Sequence, residues 1–416
     1  MKQIPLLKDK HILLGVTGGI SAYKVCTLAS RLTQAGAQVD VVMTKSATRF
    51  VAPLTFEALT GRPAYTDMWR TSGEALPTHI SHVGLAHIAH LLVIAPATAN
   101  TLAKLATGLA DNLLSTLALA ASCPMLAVPA MDVGMWSHPA TQANVATLRE
   151  RGVRFAGPAH GRMASGLEGQ GRMIEPDEIL DHVRLALARE GPLAGRRIVV
   201  TAGPTREQLD PVRFLGNPSS GRQGFALAQA ALDRGAAVTL VTGPTHLSTP
   251  TGAERVDIAS AQDMHDAVLA AVAQADVLLM AAAVADYCPA NAAPQKIKKG
   301  AGELVLRLAR TPDILSAIAS RRAETGHPRV VLGFAAESEN LLENAQSKLT
   351  AKNLDLIVAN DISAPDAGFA TETNRVMLIE RSGNVESLPL MSKAAVAEII
   401  LDRVAGLLAA AEEKVK

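Results

Sequence analysis

Residues Thr201–Gly224 read TAGPTREQLDPVRFLGNPSSGRQG. They follow the apolar run Arg197–Thr201, which predicts a buried parallel strand, and lead into a helix predicted over Phe225–Arg234. A Gly/Pro/Ser-rich connection between strand and helix aims backbone N–H groups and a helix N-terminus at one point, the geometry that holds an anionic phosphate. Pro204, Pro211 and Pro218 stiffen the connection, while Gly203, Gly216 and Gly221 let backbone come close to a ligand. It contains no GxxxxGK[ST], so it is not a P-loop. By pattern alone the same residues also read as a tight strand-to-helix turn.

Outward from this stretch, apolar strands alternate with helical segments, which predicts an α/β chain with mainly parallel sheets covered on both faces. Strands are expected at His11–Val16, Gln38–Met43, Leu91–Ala95 and Met125–Val128, with a closing helix near Pro176–Arg189. Glu190–Gly195 reads as a linker, and the pattern restarts with Arg197–Thr201, Ala237–Val241, Asp276–Ala283, Val330–Phe334 and Leu354–Val358. RLTQAGAQVDVVMT (31–44) and AALDRGAAVTLVTG (230–243) are each a helix end, a glycine turn and a strand. Two βαβ domains built alike are therefore expected, 1–190 and 191–416. The 416-residue length agrees, at about 150 residues per domain.

Composition excludes several classes. Forty basic and 39 acidic residues give a net charge of +1, which argues against a nucleic-acid or anionic-membrane partner. Three cysteines, Cys26, Cys123 and Cys288, cannot build a disulfide framework and fit a reducing, cytoplasmic compartment. MKQIPLLKDK is too short and too charged before the first strand for a signal peptide. Leu113–Met131 carries no Asp, Lys, Glu or Arg before Asp132, but Pro124 and Pro129 interrupt it and Ser115, Thr116 and Ser122 dilute it. It reads as a buried helix followed by a strand at Pro124–Val128, not a membrane span.

The first half has its own constellation. Gly15–Lys24, GVTGGISAYK, places Gly18 and Ser21 between the first strand and a helix, and Thr44 and Ser46 follow the second strand. Thr98, Asn100 and Thr101 follow the third, with Lys104, Gly108, Asp111 and Asn112 beyond. Ends of consecutive parallel strands face one crevice, where open α/β sheets bind nucleotides or flavins. Gly18 and Gly19 also suit a plain turn, and Thr98 and Asn100 a helix cap.

Several of these strings carry a family resemblance. GxTGxIxAYK, His82-Val-x-Leu, APATAN with TLAKLATGLADNLLST, PAMDxxMW and ASGxxGxGRM resemble the flavin-dependent cysteine decarboxylases. GPTRE, DPVR and N-x-SSG-x-x-G resemble the nucleotide loop of phosphopantothenate–cysteine ligases. Both halves together, over nearly the whole chain, are similar to the bifunctional decarboxylase/ligase family of coenzyme A biosynthesis. The resemblance implies a flavodoxin-like domain binding FMN through Gly18, Ser21, Thr44, Thr98, Asn100, Ser115 and Met131, followed by a Rossmann-like ligase domain using CTP. The implied substrates are 4′-phosphopantothenate, cysteine and CTP. The implied assembly is a homo-oligomer, with trimer contacts in the flavin domain and dimer contacts in the ligase domain.

For the ligase, the resemblance assigns Lys296, in Lys296-Ile-Lys298-Lys299, to neutralising phosphate; read alone, that run is a solvated charged loop. Asn217 and Arg213 match the residues that handle the acyl-cytidylate and the substrate carboxylate. Met280, Ala281, Ala282, Asp286, Pro312, Asp313, Ile314, Leu315, Phe334, Lys348 and Lys352 are assigned to CTP, and Asp286 also to Mg2+. Asp286 ends an apolar strand, where an acidic side chain suits ribose or magnesium. Gly216 stands where the family has serine, and Arg222 replaces a lysine. His82 matches the decarboxylase histidine. Asp132 and Ser165 are departures, since the family pattern has asparagine and cysteine there. A hydroxyl is a far weaker acid than a thiol with pKa near 8.5, and an ionised Asp132 would repel a substrate carboxylate unless burial or hydrogen bonds alter it. Two readings follow: a decarboxylase with an Asp/Ser variant site, or a working ligase fused to a structural or regulatory flavin domain. A decarboxylase acting on a peptide C-terminal cysteine is a third, against which the complete ligase half argues.

Overall fold

Fully apolar runs become central strands, because only a strand covered on both faces can bury every side chain. The computed structural model describes residues 3–68, 81–299, 303–337, 340–361 and 371–413, with backbone alone at Ser81, His82, Glu337 and Asp361. Contacts divide the chain into two units, Met1–Ala188 and Arg189–Lys416.

The first unit runs β1 (His11–Val16), α1 (Ala22–Gln34), β2 (Gln38–Met43), α2 (Pro53–Thr60), β3 (Ala64–Tyr65), α3 (Ser81–Ile88), β4 (Leu91–Ala97), α4 (Ala99–Thr107), α5 (Leu113–Ala120), β5 (Met125–Pro129), α6 (Val133–Ser137), α7 (Pro139–Glu150), β6 (Arg154–Phe155), β7 (Ala159–Arg162), β8 (Glu168–Arg172) and α8 (Pro176–Leu187). Its main sheet is parallel throughout, in the order β3-β2-β1-β4-β5-β6, with Ile12 opposite Val39 on one side and Leu91 on the other. Without the two-residue edge strand β3 this is the flavodoxin-like order. One face buries Val25, Leu28 and Leu32 of α1 with Ile179 and Val183 of α8. The other buries Leu102 and Leu105 of α4, Leu114 and Leu117 of α5 and Leu148 of α7. The charge-free segment at 113–131 is α5, started by a reciprocal Asn112–Ser115 capping box, and then β5. Among the described residues no helix is long and apolar enough to cross a membrane.

The second unit runs β9 (Arg197–Ala202), β10 (Arg206–Gln208), β11 (Phe214–Gly216), α9 (Arg222–Leu232), β12 (Ala237–Thr242), β13 (Glu254–Asp257), α10 (Ala261–Ala271), β14 (Val277–Met280), β15 (Tyr287–Pro289), β16 (Leu308–Arg310), α11 (Ile314–Thr325), β17 (Val330–Glu337), α12 (Leu341–Ala351), β18 (Leu356–Asp361), β19 (Thr373–Asn374), β20 (Val376–Glu380), β21 (Val385–Ser387), β22 (Met391–Ser392) and α13 (Lys393–Glu413). Its large sheet has the order β13-β12-β9-β14-β17-β18-β20-β21. The first six strands are parallel in the Rossmann-like order, and β20 and β21 add an antiparallel edge. The helix after the glycine-rich loop begins at Arg222 rather than Phe225, and the strand expected over Asp276–Ala283 pairs only over Val277–Met280. Gly224 is needed here: a Cβ would lie 2.5 Å from Ala202 Cβ and 2.7 Å from Thr201 O, so the first turn of α9 sits directly on β9.

Arg234, 9% exposed, ties this unit's C-terminal helix down through Glu398 (2.7 Å) and Asp402 (2.6 Å) on α13. Burial raises the Glu398 pKa, and Arg234 opposes that shift. Arg234→Met is therefore expected to destabilise the unit by about 2 kcal/mol, below the buried-pair range because Asp402 is solvent-facing. Protonating Glu398 removes its unpaired charge, so the loss should shrink at acid pH and grow as pH rises through the raised Glu398 pKa. Urea unfolding at several pH values measures both.

Candidate active sites

In the first unit the sheet order reverses between β1 and β4, and the loops leaving these strands border one crevice. Thr17 fixes the loop after β1 to the end of β4, its hydroxyl donating to Pro96 O at 2.5 Å. A cavity of about 410 Å³ collects Gly18, Thr44, Thr98, Asn100 and Ser115, and an adjoining one of about 470 Å³ collects Ser21, Met131, Asp132 and Ser165. Gly18, Thr98 and Met135 line both. At Gly18 a Cβ would collide with Ser46 Cβ and lie 3.1 Å from that residue's carbonyl carbon, so only glycine lets the two loops approach.

Ser21 stands at the N-cap of α1 without a side-chain capping bond; the helix's first N–H groups donate to the preceding turn, Ala22 N to Gly19 O and Lys24 N to Ser21 O at 3.0 Å each, so the Ser21 hydroxyl is the group left for an anion. Thr98 does cap α4, accepting from Thr101 N at 3.3 Å, and Ser115 is engaged in the α5 capping box. The cap reading therefore holds for Thr98 and not for Asn100, which lies inside α4; Thr98 and Ser115 also line the crevice. The Ser21 hydroxyl, the close-packed Gly18 and the polar crevice together fit a flavin phosphate.

Asp132 and Ser165 touch. The Ser165 hydroxyl donates to Asp132 Oδ2 at 2.8 Å, while Oδ1 accepts from Gly134 N at 3.1 Å and caps α6. Each carboxylate oxygen thus has a donor supplied by the protein. Ser165 lies in the turn joining β7 and β8, and Gly171 on β8 passes so close to Met131 that its carbonyl accepts from Met131 N at 3.0 Å. His82 lies on α3, but its side chain is outside the described residues.

In the second unit the switch point lies between β9 and β14. A cavity of about 510 Å³ there is lined by Met280, Ala282, Asp286, Pro312, Asp313, Ile314, Leu315, Phe334, Lys348 and Lys352. An adjoining cavity of about 390 Å³ has Asn217, Ala281 and the Ser219–Gly224 loop, and shares Asp286, Phe334 and Lys348 with the first. Asn217 Nδ2 donates to Ala283 O (3.3 Å) and Val284 O (3.2 Å), which locks the glycine-rich loop to the segment that follows β14. Gly221, in the left-handed conformation, is the N-cap of α9 and offers no side-chain cap.

The two lysines come from the end of α12. Lys348 donates to Phe334 O at 3.2 Å, and Lys352 donates to Ser316 Oγ at 3.0 Å and pairs with Asp313, the N-cap of α11. Burial opposes ionisation of Asp313, but the bonds from Lys352 and Ser316 outweigh it and hold the carboxyl below its usual range. Among the described residues no group of three or more His, Cys, Asp or Glu could hold a metal. Exposed Asp286 at the cavity, beside an Asp313 already paired with Lys352, fits magnesium, which commonly takes one or two carboxylates and completes its shell with phosphate oxygens and water.

Arg213 and Lys296 line neither cavity. Lys296 is exposed, and Arg213 is paired with Asp210 at 2.6 Å. Lys393, Asn360, Asn374 and, in the first unit, Arg162 line the cavities without a sequence signal that singled them out. Lys393 is buried at 6% exposure, and that burial, with Arg222 nearby, lowers its pKa. Its context, MSKAAVAEII, reads as an ordinary helix start; only a charged residue opening an apolar helix hinted at more.

Residues 5–187 match the Flavoprotein family, and residues 193–408 match the DNA/pantothenate metabolism flavoprotein C-terminal domain. The chain is 45% identical over 405 residues to the coenzyme A biosynthesis bifunctional protein CoaBC of Bacillus subtilis (strain 168), covering 97% of this chain and 98% of that one. It is 45% identical over 420 residues to the protein of the same name from Mycobacterium tuberculosis (strain ATCC 25618 / H37Rv), covering 98% of each. A crystal structure of the C-terminal domain of CoaBC aligns with TM-score 0.45 and 40% identity over 52% of this chain and 98% of that one. The chain belongs to the family of bifunctional coenzyme A biosynthesis proteins and is an enzyme of that pathway, with a flavoprotein domain preceding its DNA/pantothenate-metabolism domain.

Proposed function

We propose that the second unit joins cysteine to 4′-phosphopantothenate at the expense of CTP, and that the first unit decarboxylates the phosphopantothenoylcysteine formed, using FMN, to 4′-phosphopantetheine. The observation that carries the ligase reading is the convergence of ten residues assigned to CTP from sequence on one cavity at the sheet's switch point. The substrate carboxylate attacks the α-phosphorus of CTP and pyrophosphate leaves. The amine of cysteine then attacks the acyl carbon, loses a proton and expels CMP. Lys348 and Lys352 hold the nucleotide, Asp286 would hold Mg2+, and Lys296 offsets charge on the phosphates as it develops. Asn217 holds the loop on which the acyl-cytidylate rests.

In the first unit Gly18, Ser21 and Thr44 would hold the phosphate of FMN, and Thr98, Asn100, Ser115 and Met131 would hold the rest of the cofactor. The bound flavin supplies a reversible electron-pair acceptor, so that loss of CO2 is redox-neutral overall, with one proton taken up. The Ser165–Asp132 bond favours the catalytic reading over a purely structural domain, because each Asp132 oxygen in the cavity already accepts from a donor of the protein. His82 belongs to the same site. The assembly is a homo-oligomer, trimeric through the flavin domain and dimeric through the ligase domain. Exposed Ile20, Tyr23, Met135 and Leu167 support a protein-covered flavin crevice. The unpaired cysteines support a cytoplasmic location.

Purified protein is expected to be yellow, with FMN bound by residues 1–190, and to release pyrophosphate and CO2 in separately measurable steps. A general acid is worth roughly 100-fold or more. Ser165→Ala should change CO2 release far less than that, and Asp132→Asn should stay competent, because Ser165 is here a donor to Asp132. If wild type binds FMN yet releases no CO2 from phosphopantothenoylcysteine, and the Asp132→Asn, Ser165→Cys double variant does, the catalytic reading of this half fails and the structural one stands.

A further inference from the structure

Between β15 and β16 the chain carries the run Lys296-Ile-Lys298-Lys299, which lines neither of the two cavities at the switch point. Its backbone is nonetheless fixed at both ends of Ala293–Ile297. Ala293 N donates to Leu209 O at 2.9 Å, Ile297 N donates to Asp210 Oδ2 at 3.1 Å, and Arg213 donates to Ile297 O at 2.7 Å. Asp210 is the centre of this junction and is only 2% exposed. Its two oxygens are divided between two tasks. Oδ1 accepts from Val212 N and Arg213 N, each at 2.8 Å, and closes the turn after β10. Oδ2 accepts from Arg213 Nη2 (2.6 Å), Arg213 Nε (3.0 Å) and the loop's Ile297 N. The Arg213 guanidinium, first among these donors, holds the Asp210 carboxyl well below the usual carboxylate range, so the junction stays charged at any pH where the enzyme works.

We propose that Asp210, with Arg213, is a positioning pair for Lys296: by gripping both backbone groups of Ile297 it fixes the point from which the Lys296 side chain reaches the reacting phosphates. This rests on the reading of Lys296 as the phosphate-neutralising group. It also gives Arg213, which lines neither cavity, a role exerted through the loop. A lysine on an untethered loop would contribute charge but not geometry, and a preorganised charge is what lowers the barrier.

Asp210→Asn separates the tasks. The amide oxygen can keep the turn, but an amide N–H2 then faces the Arg213 and Ile297 donors, and the loop is released. In the full-length enzyme we expect trypsin to cut after Lys296, Lys298 and Lys299 at least several-fold faster. CTP-dependent pyrophosphate release should lose about tenfold in kcat, while KM for CTP, whose cavity lacks the loop, changes less than twofold. Arg213→Lys, which keeps a cation against Asp210, should recover part of the kcat that Arg213→Gln loses; this pair carries the test if Asp210→Asn does not fold. A normal kcat, unchanged tryptic cleavage, or a loss residing in KM overturns the proposal. Lys296→Gln run alongside separates the failures: full ligase activity there overturns the lysine's role and this proposal with it. A slow Lys296→Gln beside a normal Asp210→Asn overturns the positioning alone.

Discussion

Lys296→Gln is expected to slow acyl-cytidylate formation by about 100-fold or more, the usual consequence of removing one preorganised charge from a site where charge develops. The variant keeps the length and much of the hydrogen-bonding capacity of the side chain, so the loss isolates the positive charge. Flavin content and decarboxylation of supplied phosphopantothenoylcysteine should be unchanged, since the crevice that serves them is built from residues before Ala188. Single-turnover formation of pyrophosphate from CTP and 4′-phosphopantothenate, without cysteine, measures the step directly. Full activity would return the lysine run to an exposed charged loop.

Gly18→Val should produce nearly colourless protein. Its Cβ alone would overlap Ser46, and the branched methyls would push the Thr44–Ser46 turn away from the end of β1. Overpacking costs about 1–3 kcal/mol, and here it falls on the phosphate end of the cofactor site, so flavin affinity should drop roughly 10- to 100-fold. Absorbance of the purified variant and FMN titration of the stripped protein give the number. Ligase turnover, served by the other unit, should persist. A variant as yellow as wild type would show that the phosphate is held elsewhere.

Much of both sheets was legible because buried parallel strands are written as apolar runs: Leu91–Ala95 and Val277–Met280 have almost no polar atom to hide. The alternation of such runs with amphipathic helices carried the fold class, and the glycine-rich connections marked where each sheet reverses. The antiparallel ribbons were not legible. Ribbon β7–β8 alternates Ala-His-Gly-Arg with Glu-Gly-Gln-Gly-Arg, a composition that reads as loop, and β15 and β16 are three residues each and largely exposed. Their pairing is set by tertiary contact rather than local propensity. Strand β14 was expected to run three residues too far, because Ala281–Ala283 is as apolar as the strand yet leaves the ladder to meet Gly203 and Asn217.

The site divides the same way. Residues at strand ends, such as Thr98 and Asp286, could be placed by reading elements alone, whereas Asp313 came only with the family resemblance. Lys393 and Asn360 could not, because they come from late, remote segments that only the closed sheet brings to the loop. Arg213 and Lys296 show a different limit: their spacing from the apolar strand says nothing of whether a side chain turns into the cavity or grips a neighbour. The contact between Asp132 and Ser165, 33 residues apart, was likewise invisible, and it makes one linked feature of two departures that looked independent.

If the second unit binds CTP as proposed, the pairing of Lys352 with Asp313 has a consequence for how the nucleotide arrives. A phosphate that recruits this lysine must take it from a carboxylate, so the net gain is the difference between two attractions rather than the whole of one. Asp313, released, keeps its place by capping α11 through Ser316 N. The affinity for CTP should therefore respond to ionic strength more shallowly than a tally of nearby lysines suggests, because added salt weakens the outgoing pair as well as the incoming one. Asp313→Asn should steepen that response by leaving the cation in search of an anion. The carboxylate acts as a placeholder, standing where charge will later be delivered and preventing the cavity from capturing any passing polyanion.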